Sequence, residues 1–515
     1  MTNASNYPIR YLTPHGGEAD QPLHIHPAEV AVTEYPTGII AVADPLFEEP
    51  YRIGDRSLIA DPVVDDFVVA VWDYFGVHMS TRQLSRTELF ETIPSLGRWN
   101  RMQHTLGAVA MTARFGGTPA QLAEMAVHDL GHRVGSHRFE SLIENKMQDN
   151  DHENDLGGFL ARSGFMAELR RRGLCNKQDE LANGLRLQQL AHSENNPTGI
   201  TNWPARTGYP ETERLNYILT ESAIWQTSPA EARQVLAAVQ RDQASARGDQ
   251  LVFGEADAAA AYAEAQLRCR TEHWVEPLTE VSEELAVALM RYVLSSGAPG
   301  MEPYDRYHPG DSLRTLEEDW QQALTALRHS DPGVQGMLTL IDSIVAWRRA
   351  IPADTHRKGY RQYGPLAPSW LTLFPSLNDR IYQPIRGVHR TGGQYVVIGM
   401  QSNKPRPVNP LVGVPGGQHT PLMELRPDLA TEHAARSSWS DNPFDAVIDI
   451  SHKNLRLTMA ERQGIMRIVG PEVRAAWEQE VLQRPLMDEL ELTHRITAAG
   501  KRYRQLGAVP LAPGL

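Results

Sequence analysis

Cysteine is scarce in this chain, with Cys175 and Cys269 the two examples among 515 residues. Two cysteines cannot build a disulfide framework, so the fold has to be held together by packing. They fit a reducing compartment. Because the first residues also lack the charged-then-apolar order of a signal peptide, we expect a cytoplasmic protein.

Long apolar runs are lacking too. No stretch approaches the ~20 apolar residues that a membrane-crossing helix needs, so we expect no membrane partner. Positive charge is in short supply, since 50 Lys and Arg stand against 63 Asp and Glu for a net charge of −13. Non-specific nucleic-acid binding needs many Lys and Arg to displace counterions, so nucleic acid is not an expected partner either.

Helical signals dominate what is present, and they predict a mainly α fold. The chain is too long for one compact core. We expect an N-terminal extension over residues 1–95, resembling an extended arm with one helix at 62–77, then a helical core over 96–330. A smaller α+β region over 331–515 follows, because the strongest strand patterns, 394–400 and 445–451, come late. The Gly- and Pro-rich stretches 295–311 and 401–421 read as breaks.

Three predicted helix starts carry the same capping-box sequence motif. Thr118 is followed by Pro119 and, three residues after the threonine, by Gln121, which predicts a capping box. The strings SPAE (228–231) and TMAE (458–461) show the same pattern. Further helices are predicted from apolar periodicity at 99–114, 211–225, 229–243, 256–269, 279–295 and 335–349.

The stretch EMAVHDLGHRVGSH (124–137) is unusually rich in histidine. His128 and Asp129 are adjacent, and neighbours on a helix point about 100° apart, so they can share one ion only near a helix end. His104, on the preceding predicted helix, offers a third ligand. Imidazole with carboxylate suits Mn, Fe, Ni or Zn better than Ca. The competing interpretation is a polar helix end without an ion.

A later helix carries a second polar pattern. Glu213, Tyr217 and Glu221 recur every four residues and therefore share a face, with Arg214 beside them. Carboxylate, phenol and carboxylate on one face suit a wet site better than a core. A solvated amphipathic helix with charge pairs is the alternative.

These segments together resemble the HD superfamily of metal-dependent phosphohydrolases, and within it the dGTPase-like deoxynucleoside triphosphate triphosphohydrolases. That group has R-x-x-H-S-L-G, then H-D-x-G-H-x-x-x-S-H-x-x-D/E, then H-E, then a D/E-K/R-x-D-Y helix. This chain has RMQHTLG (101–107), HDLGHRVGSHRFE (128–140), HE (152–153) and ERLNY (213–217). The resemblance covers about residues 95–225, and it departs from the group's pattern at Glu213 and Asn216, where aspartates are usual.

The resemblance implies roles position by position. The implied metal ligands are His104, His128, Asp129 and Glu213. The residues implied to surround the scissile phosphate and catalyse are His132, His137, Glu140 and His152. The implied substrate contacts are Arg101, Arg214, Tyr217 and Glu221.

The implied activity is hydrolysis of a deoxynucleoside triphosphate to nucleoside and triphosphate, with a divalent ion as cofactor (Mn, Mg, Fe, Co, Ni or Zn) and a homo-oligomeric assembly. Alternatives on the same site are a nucleoside monophosphate phosphatase or another nucleotide hydrolase. An HD-type diiron oxygenase is an alternative of a different class, because further histidines could hold a second iron. A regulatory protein that binds nucleotide without turnover is the third, motivated by Glu213 and Asn216.

Overall fold

A computed structural model describes the chain over sixteen segments: 10–11, 31–34, 38–81, 101–130, 164–174, 212–225, 228–243, 250–269, 277–296, 323–350, 370–373, 382–383, 395–399, 409–437, 445–451 and 455–469. Helices make up most of these residues, and the strands form three small sheets. The prediction of a mainly α fold is therefore confirmed.

The first part of the chain is a sheet followed by helices. The sheet is antiparallel in the order β1-β2-β3-β4. Its strands are β1 (Arg10–Tyr11), β2 (Ala31–Glu34), β3 (Ile40–Ala43) and β4 (Tyr51–Ile53). The helices after it are α1 (Pro62–Thr81), α2 (Arg101–Arg114), α3 (Pro119–Val127) and α4 (Phe165–Arg171).

This sheet and α1 belong to the same hydrophobic core as α2 and α3. Ile40 and Ile53 from the sheet, Phe67 from α1 and Leu106 from α2 are all essentially fully buried in one cluster. Burying such large apolar side chains is worth about 1.5–3 kcal/mol each. The expectation of an extended N-terminal arm is wrong for residues 40–75, while a domain boundary near residue 95 stays a prediction.

The middle of the chain builds a second core around a helix that crosses α2. Its helices are α5 (Thr212–Trp225), α6 (Pro229–Ala237) and α7 (Ala256–Cys269). They pack with a sheet in the order β11-β10-β6-β5. Its strands are β5 (Val239–Asp242), β6 (Gln250–Phe253), β10 (Leu411–Val412) and β11 (Thr420–Pro421).

The predicted helix over 229–243 needs correction. Helix α6 ends at Ala237, and Val239–Asp242 form strand β5, paired antiparallel with β6. Val239 and Asp242 are buried in that pairing. Sheet pairing with a separate strand overrides a local helical pattern, which is a weak prior by comparison.

The remaining described elements lie toward the C-terminus. The predicted strands there are confirmed as β9 (Tyr395–Gly399) and β12 (Asp445–Asp449), in a sheet ordered β8-β7-β12-β9. Its other strands are β7 (Trp370–Leu373) and β8 (Tyr382–Gln383). The helices are α8 (Pro277–Ser295), α9 (Pro332–Ala350), α10 (Leu422–Leu425), α11 (Pro427–Ser437) and α12 (Met459–Val469). Across the described segments, every helix is too short or too polar to cross a membrane.

Candidate metal centre

Helix α2 supplies the first candidate ligand from inside the protein. It lies between α1, α3 and α5, and its residues from Arg101 to Thr112 are buried. His104 is therefore only 3% exposed. A histidine this deep in a helix interface is removed from water, which strengthens any electrostatic interaction that its ring makes.

The end of helix α3 supplies the next two candidate ligands. The predicted capping box is confirmed at its start, where the Thr118 side chain accepts from the Gln121 backbone N–H and the Gln121 side chain accepts from the Thr118 N–H. The helix ends at Val127, His128 is its C-cap, and Asp129 follows in a turn. The expected helix-end position of His128 and Asp129 is therefore confirmed.

His128 is oriented by a bond on the far side of its ring. Its Nδ1 lies 2.6 Å from the Met125 carbonyl oxygen, a distance at which Nδ1–H donates to that oxygen. The other nitrogen, Nε2, is buried and has no hydrogen-bond partner within the described segments. A histidine fixed through Nδ1 with a free Nε2 is the arrangement that metal-binding imidazoles use.

The three side chains converge on one point. The His104 Nε2 atom lies 3.3 Å from Asp129 Oδ2, and the His128 Nε2 atom lies 3.6 Å from Asp129 Oδ1. One ligand atom from each of the three residues lies within 4.8 Å of the others. Helix α5 adds Glu213, whose Oε1 is 3.7 Å from His104 Nε2 and 3.9 Å from His128 Nε2.

These separations fit a divalent ion. Ligand atoms about 2.1 Å from one ion, at tetrahedral or octahedral angles, lie about 3.0–3.4 Å apart. The observed separations of 3.3–3.9 Å need inward shifts of only a few tenths of an ångström. Two imidazole nitrogens with two carboxylates also match the borderline divalent metals in chemistry. The residues present therefore fit the ion that the sequence suggested.

The electrostatics of the cluster are those of a cation site. Burial lowers the pKa of His128, but the charges of Asp129 and Glu213 outweigh burial and raise it above its usual value. Burial raises the pKa of Glu213, but its interactions with His104 and His128 outweigh burial and lower that pKa. Both shifts show that the two carboxylates favour positive charge between them.

Arg101, a predicted substrate contact, bonds one of the candidate metal ligands. Its side chain is buried, and Nη1 donates to Asp129 Oδ2 over 2.7 Å. It thus bonds the same Asp129 oxygen that lies 3.3 Å from His104 Nε2. A phosphate contact by Arg101 stays a prediction, and the bond to Asp129 is what the structure shows.

The other predicted substrate contacts lie on α5. The Tyr217 ring centroid is 6.1 Å from that of His104, so the phenol borders the candidate metal centre. Arg214 is half-buried and Glu221 is buried, although a wet face was expected for the latter. Their contacts with substrate stay predictions. The four predicted catalytic residues, His132, His137, Glu140 and His152, lie outside the described residues.

Sequence reasoning missed Asp44. This buried carboxyl follows β3 and interacts with the Asn216 amide on α5, next to the helix turn that carries Glu213. Burial raises the pKa of Asp44 from 3.8 to about 7, against the lowering effect of hydrogen bonds from Leu46 and Asn216. The string VADPLF carries no signal for this, because the contact joins residues far apart in the sequence.

Comparison with known proteins finds similarity among solved structures. No protein-family model matches the chain, and no curated protein matches it. Among solved structures the chain is similar to a phosphohydrolase from Bacteroides thetaiotaomicron, with 14% identity and a TM-score of 0.44. The match covers 79% of this chain and 97% of the other. A likeness at this level leaves the chemistry of the site to be argued from its own residues.

Proposed function

We propose that this chain is a metal-dependent nucleotide phosphohydrolase, acting on deoxynucleoside triphosphates to release nucleoside and triphosphate. The observation that carries the proposal is the convergence of His104, His128 and Asp129 on one point, with Glu213 completing the set. The motif spacing of the HD superfamily supports the reaction class. We also propose a homo-oligomer, on the same resemblance.

The chain's own residues would hold the ion from three helices. His104 comes from α2, His128 and Asp129 from the end of α3, and Glu213 from the first turn of α5. When bound, a divalent ion supplies a water of lowered pKa and polarises a phosphoryl oxygen. Hydrolysis at phosphorus then needs little more than positioning and charge neutralisation.

Residues around the ion would do that positioning. Arg101 keeps Asp129 in place through its 2.7 Å bond. Tyr217 and Arg214, about one turn or less from Glu213 on α5, would meet the sugar and phosphates of a nucleotide beside the ion. The His152 side chain would protonate the leaving oxygen, with His132, His137 and Glu140 around the phosphate, as the resemblance implies.

A substrate screen tests the proposal. Purified protein is incubated with each dNTP, NTP and NMP in the presence of Mn²⁺, Mg²⁺, Co²⁺ or Ni²⁺, and products are resolved by ion-exchange chromatography and ³¹P NMR. Triphosphate with nucleoside is the expected result. Release of inorganic phosphate from a nucleoside monophosphate would instead show that the protein is a nucleoside monophosphate phosphatase.

A matched pair of histidine variants tests whether the hydrolysis depends on the candidate metal centre. His104→Gln removes a buried candidate ligand, whereas His329→Gln changes an exposed histidine near the end of residues 323–330. We expect His104→Gln to lose at least ~10²-fold in activity, in line with the loss of a metal ligand, and His329→Gln to keep wild-type activity. Full activity in His104→Gln would refute the metal centre.

Metal content separates the alternatives of other classes. Two irons per chain with O₂ consumption would replace the hydrolase by an oxygenase. Nucleotide binding without turnover under every metal would replace it by a regulatory protein.

A further inference from the structure

Asn216 is a buried polar residue that no part of the proposed chemistry uses. It stands on α5, three residues after Glu213, and is 0% exposed. Its Nδ2 lies 3.5 Å from the Thr220 hydroxyl, and its Oδ1 is buried without a hydrogen-bond partner within the part of the chain described. Burying an amide whose oxygen makes no hydrogen bond costs stability, so the contacts that this side chain does make need to be examined.

The Asn216 side chain lies where α5 crosses α2, and the neighbour opposite is Gly107. A Cβ added at Gly107 would meet Asn216 Oδ1 at 2.8 Å and Nδ2 at 2.9 Å. Real Cβ atoms do not approach other atoms so closely. The absence of a side chain at residue 107 therefore allows the amide to lie directly on the α2 backbone.

A third element contacts the same amide. The Asp44 carboxyl, at the end of β3, interacts with Asn216 and accepts a 2.8 Å hydrogen bond from the Leu46 N–H. Its other oxygen, Oδ2, is buried with no hydrogen-bond partner inside the described ranges. Asn216 thus connects the N-terminal sheet, α2 and α5 at one point.

The crossing continues on both sides of this point. On one side, Thr112 donates to Thr212 over 3.0 Å. On the other, His104 of α2 faces Glu213 and Tyr217 of α5. Gly107 and Asn216 each lie about one helical turn from a candidate ligand, Gly107 from His104 and Asn216 from Glu213.

We propose that Asn216 is a positioning residue of the metal centre, holding the Glu213 helix against the His104 helix through its contact with Gly107 and Asp44. The proposal rests on the metal centre of the proposed function, and on no particular substrate. Metal ligands must be held within about 0.5 Å of their working geometry, and residues behind the ligands typically affect metal affinity about 10- to 100-fold. A methyl group at residue 107 would lie only 2.8 Å from Asn216 Oδ1, which is closer than van der Waals contact allows.

Mn²⁺ affinity of the full chain, measured by the EPR signal of free Mn²⁺, tests the proposal without reference to turnover. We expect Gly107→Ala to weaken Mn²⁺ binding ~10- to 100-fold, and Asn216→Ala to weaken it by a smaller factor. The double variant Gly107→Ala/Asn216→Ala should bind no more weakly than Asn216→Ala alone, because the atoms that the new methyl group would meet are gone. Such non-additivity is the mark of two residues acting through one contact.

Gly333→Ala is the matched control. Gly333 begins α9, where an added Cβ would meet the Gly464 backbone of α12 at 2.9 Å, at a helix crossing without candidate ligands among the described residues. Because its added Cβ would meet backbone and not the end of a side chain, this variant should lower the melting temperature at least as much as Gly107→Ala does, while keeping wild-type Mn²⁺ affinity. The comparison separates a positioning effect from a general loss of packing.

The outcomes distinguish this proposal from the proposed function. If Gly107→Ala and Asn216→Ala lose melting temperature but bind Mn²⁺ like wild type, Asn216 is a packing residue and the proposal is wrong. If wild type binds Mn²⁺ tightly, the two variants bind it weakly and no nucleotide is hydrolysed, the positioning role stands and the proposed function falls. A wild type that binds no metal overturns both. Should Gly107→Ala not fold, Asn216→Ala alone decides, since it adds no clash.

Discussion

Among the described residues, two places where helices pack together hold carboxylates at least partly withdrawn from water, and the two clusters differ in the polar groups that surround those carboxylates. At the crossing of α8, α9 and α12, Asp331 accepts from the Tyr292 hydroxyl, from Arg467 Nη2 and from the Gly333 N–H. Burial raises the pKa of Asp331, but these bonds outweigh it and lower the pKa. Both oxygens of the Asp331 carboxylate accept hydrogen bonds, and the cluster joins α8, α12 and the start of α9.

The crossing of α2, α3 and α5 is different. It sets two carboxylates against two imidazoles, and the His128 Nε2 atom is buried with no hydrogen-bond partner among the described residues. A completed cluster stabilises a fold, whereas an incomplete one of metal-ligand chemistry has room for a cation. The buried His128 Nε2 atom without a hydrogen-bond partner therefore distinguishes the candidate metal centre from the Asp331 cluster.

The strongest test of the difference between the two crossings is to neutralise one carboxylate at each of them. Asp129→Asn should weaken Mn²⁺ binding by at least ~10³-fold, since it removes a charged ligand that Arg101 also holds. Asp331→Asn should leave Mn²⁺ binding unchanged and cost about 1–3 kcal/mol of unfolding free energy, through lost charge-assisted hydrogen bonds. Isothermal titration with Mn²⁺ and urea unfolding measure the two effects. Equal effects on Mn²⁺ binding would contradict the distinction.

Asp44 offers a pH test beside the crossing of α2, α3 and α5. Its pKa is about 7 in the folded chain, against 3.8 for an ordinary aspartate, so the folded state keeps this proton to higher pH. The proton's contribution to stability is fully present below about pH 4 and is lost as pH rises to about 7. We expect Asp44→Asn to gain roughly 4 kcal/mol in unfolding free energy relative to wild type between about pH 4 and pH 8. Urea unfolding across that range measures the difference, and a flat difference would argue against a buried Asp44.

Substitutions of Glu213, the fourth candidate ligand, test whether Mn²⁺ binding depends on the charge or on the length of this side chain. Glu213→Gln keeps the length and removes the charge, and should weaken Mn²⁺ binding ~10- to 100-fold. Glu213→Asp keeps the charge and shortens the reach from the 3.7 and 3.9 Å separations, so a smaller loss is expected. Wild-type affinity in Glu213→Gln would leave the site with three ligands.

The smallest effect on Mn²⁺ binding is expected from removing a helix cap, and two capping boxes allow a comparison. Thr118→Ala and Ser228→Ala each remove an N-cap bond and should each cost about 1 kcal/mol of stability. Helix α3 ends at His128 and Asp129, while α6 carries no candidate ligand. Thr118→Ala should therefore also weaken Mn²⁺ binding slightly, and Ser228→Ala should not. Identical Mn²⁺ affinities would show that the end of α3 is held without its cap.

Local signals in the sequence predicted local structure well. The capping boxes at Thr118 and Ser228 are confirmed, and helix α7 has the predicted bounds of 256–269. The third capping box is confirmed by the bonds between Thr458 and Glu461. Residues 239–242 and the N-terminal sheet were missed, because their strand state comes from pairing with other strands.

By itself, the sequence determined the helix ends, the residue types and the spacing of the candidate ligands. These follow from capping chemistry, helical periodicity and side-chain chemistry, which act within a few residues. Only the tertiary structure decided that His104 and Glu213 face the end of α3, that Arg101 bonds Asp129, and that Asn216 lies on Gly107 beside Asp44. These contacts depend on how closely helices approach, which is set by the packing of residues far apart along the chain.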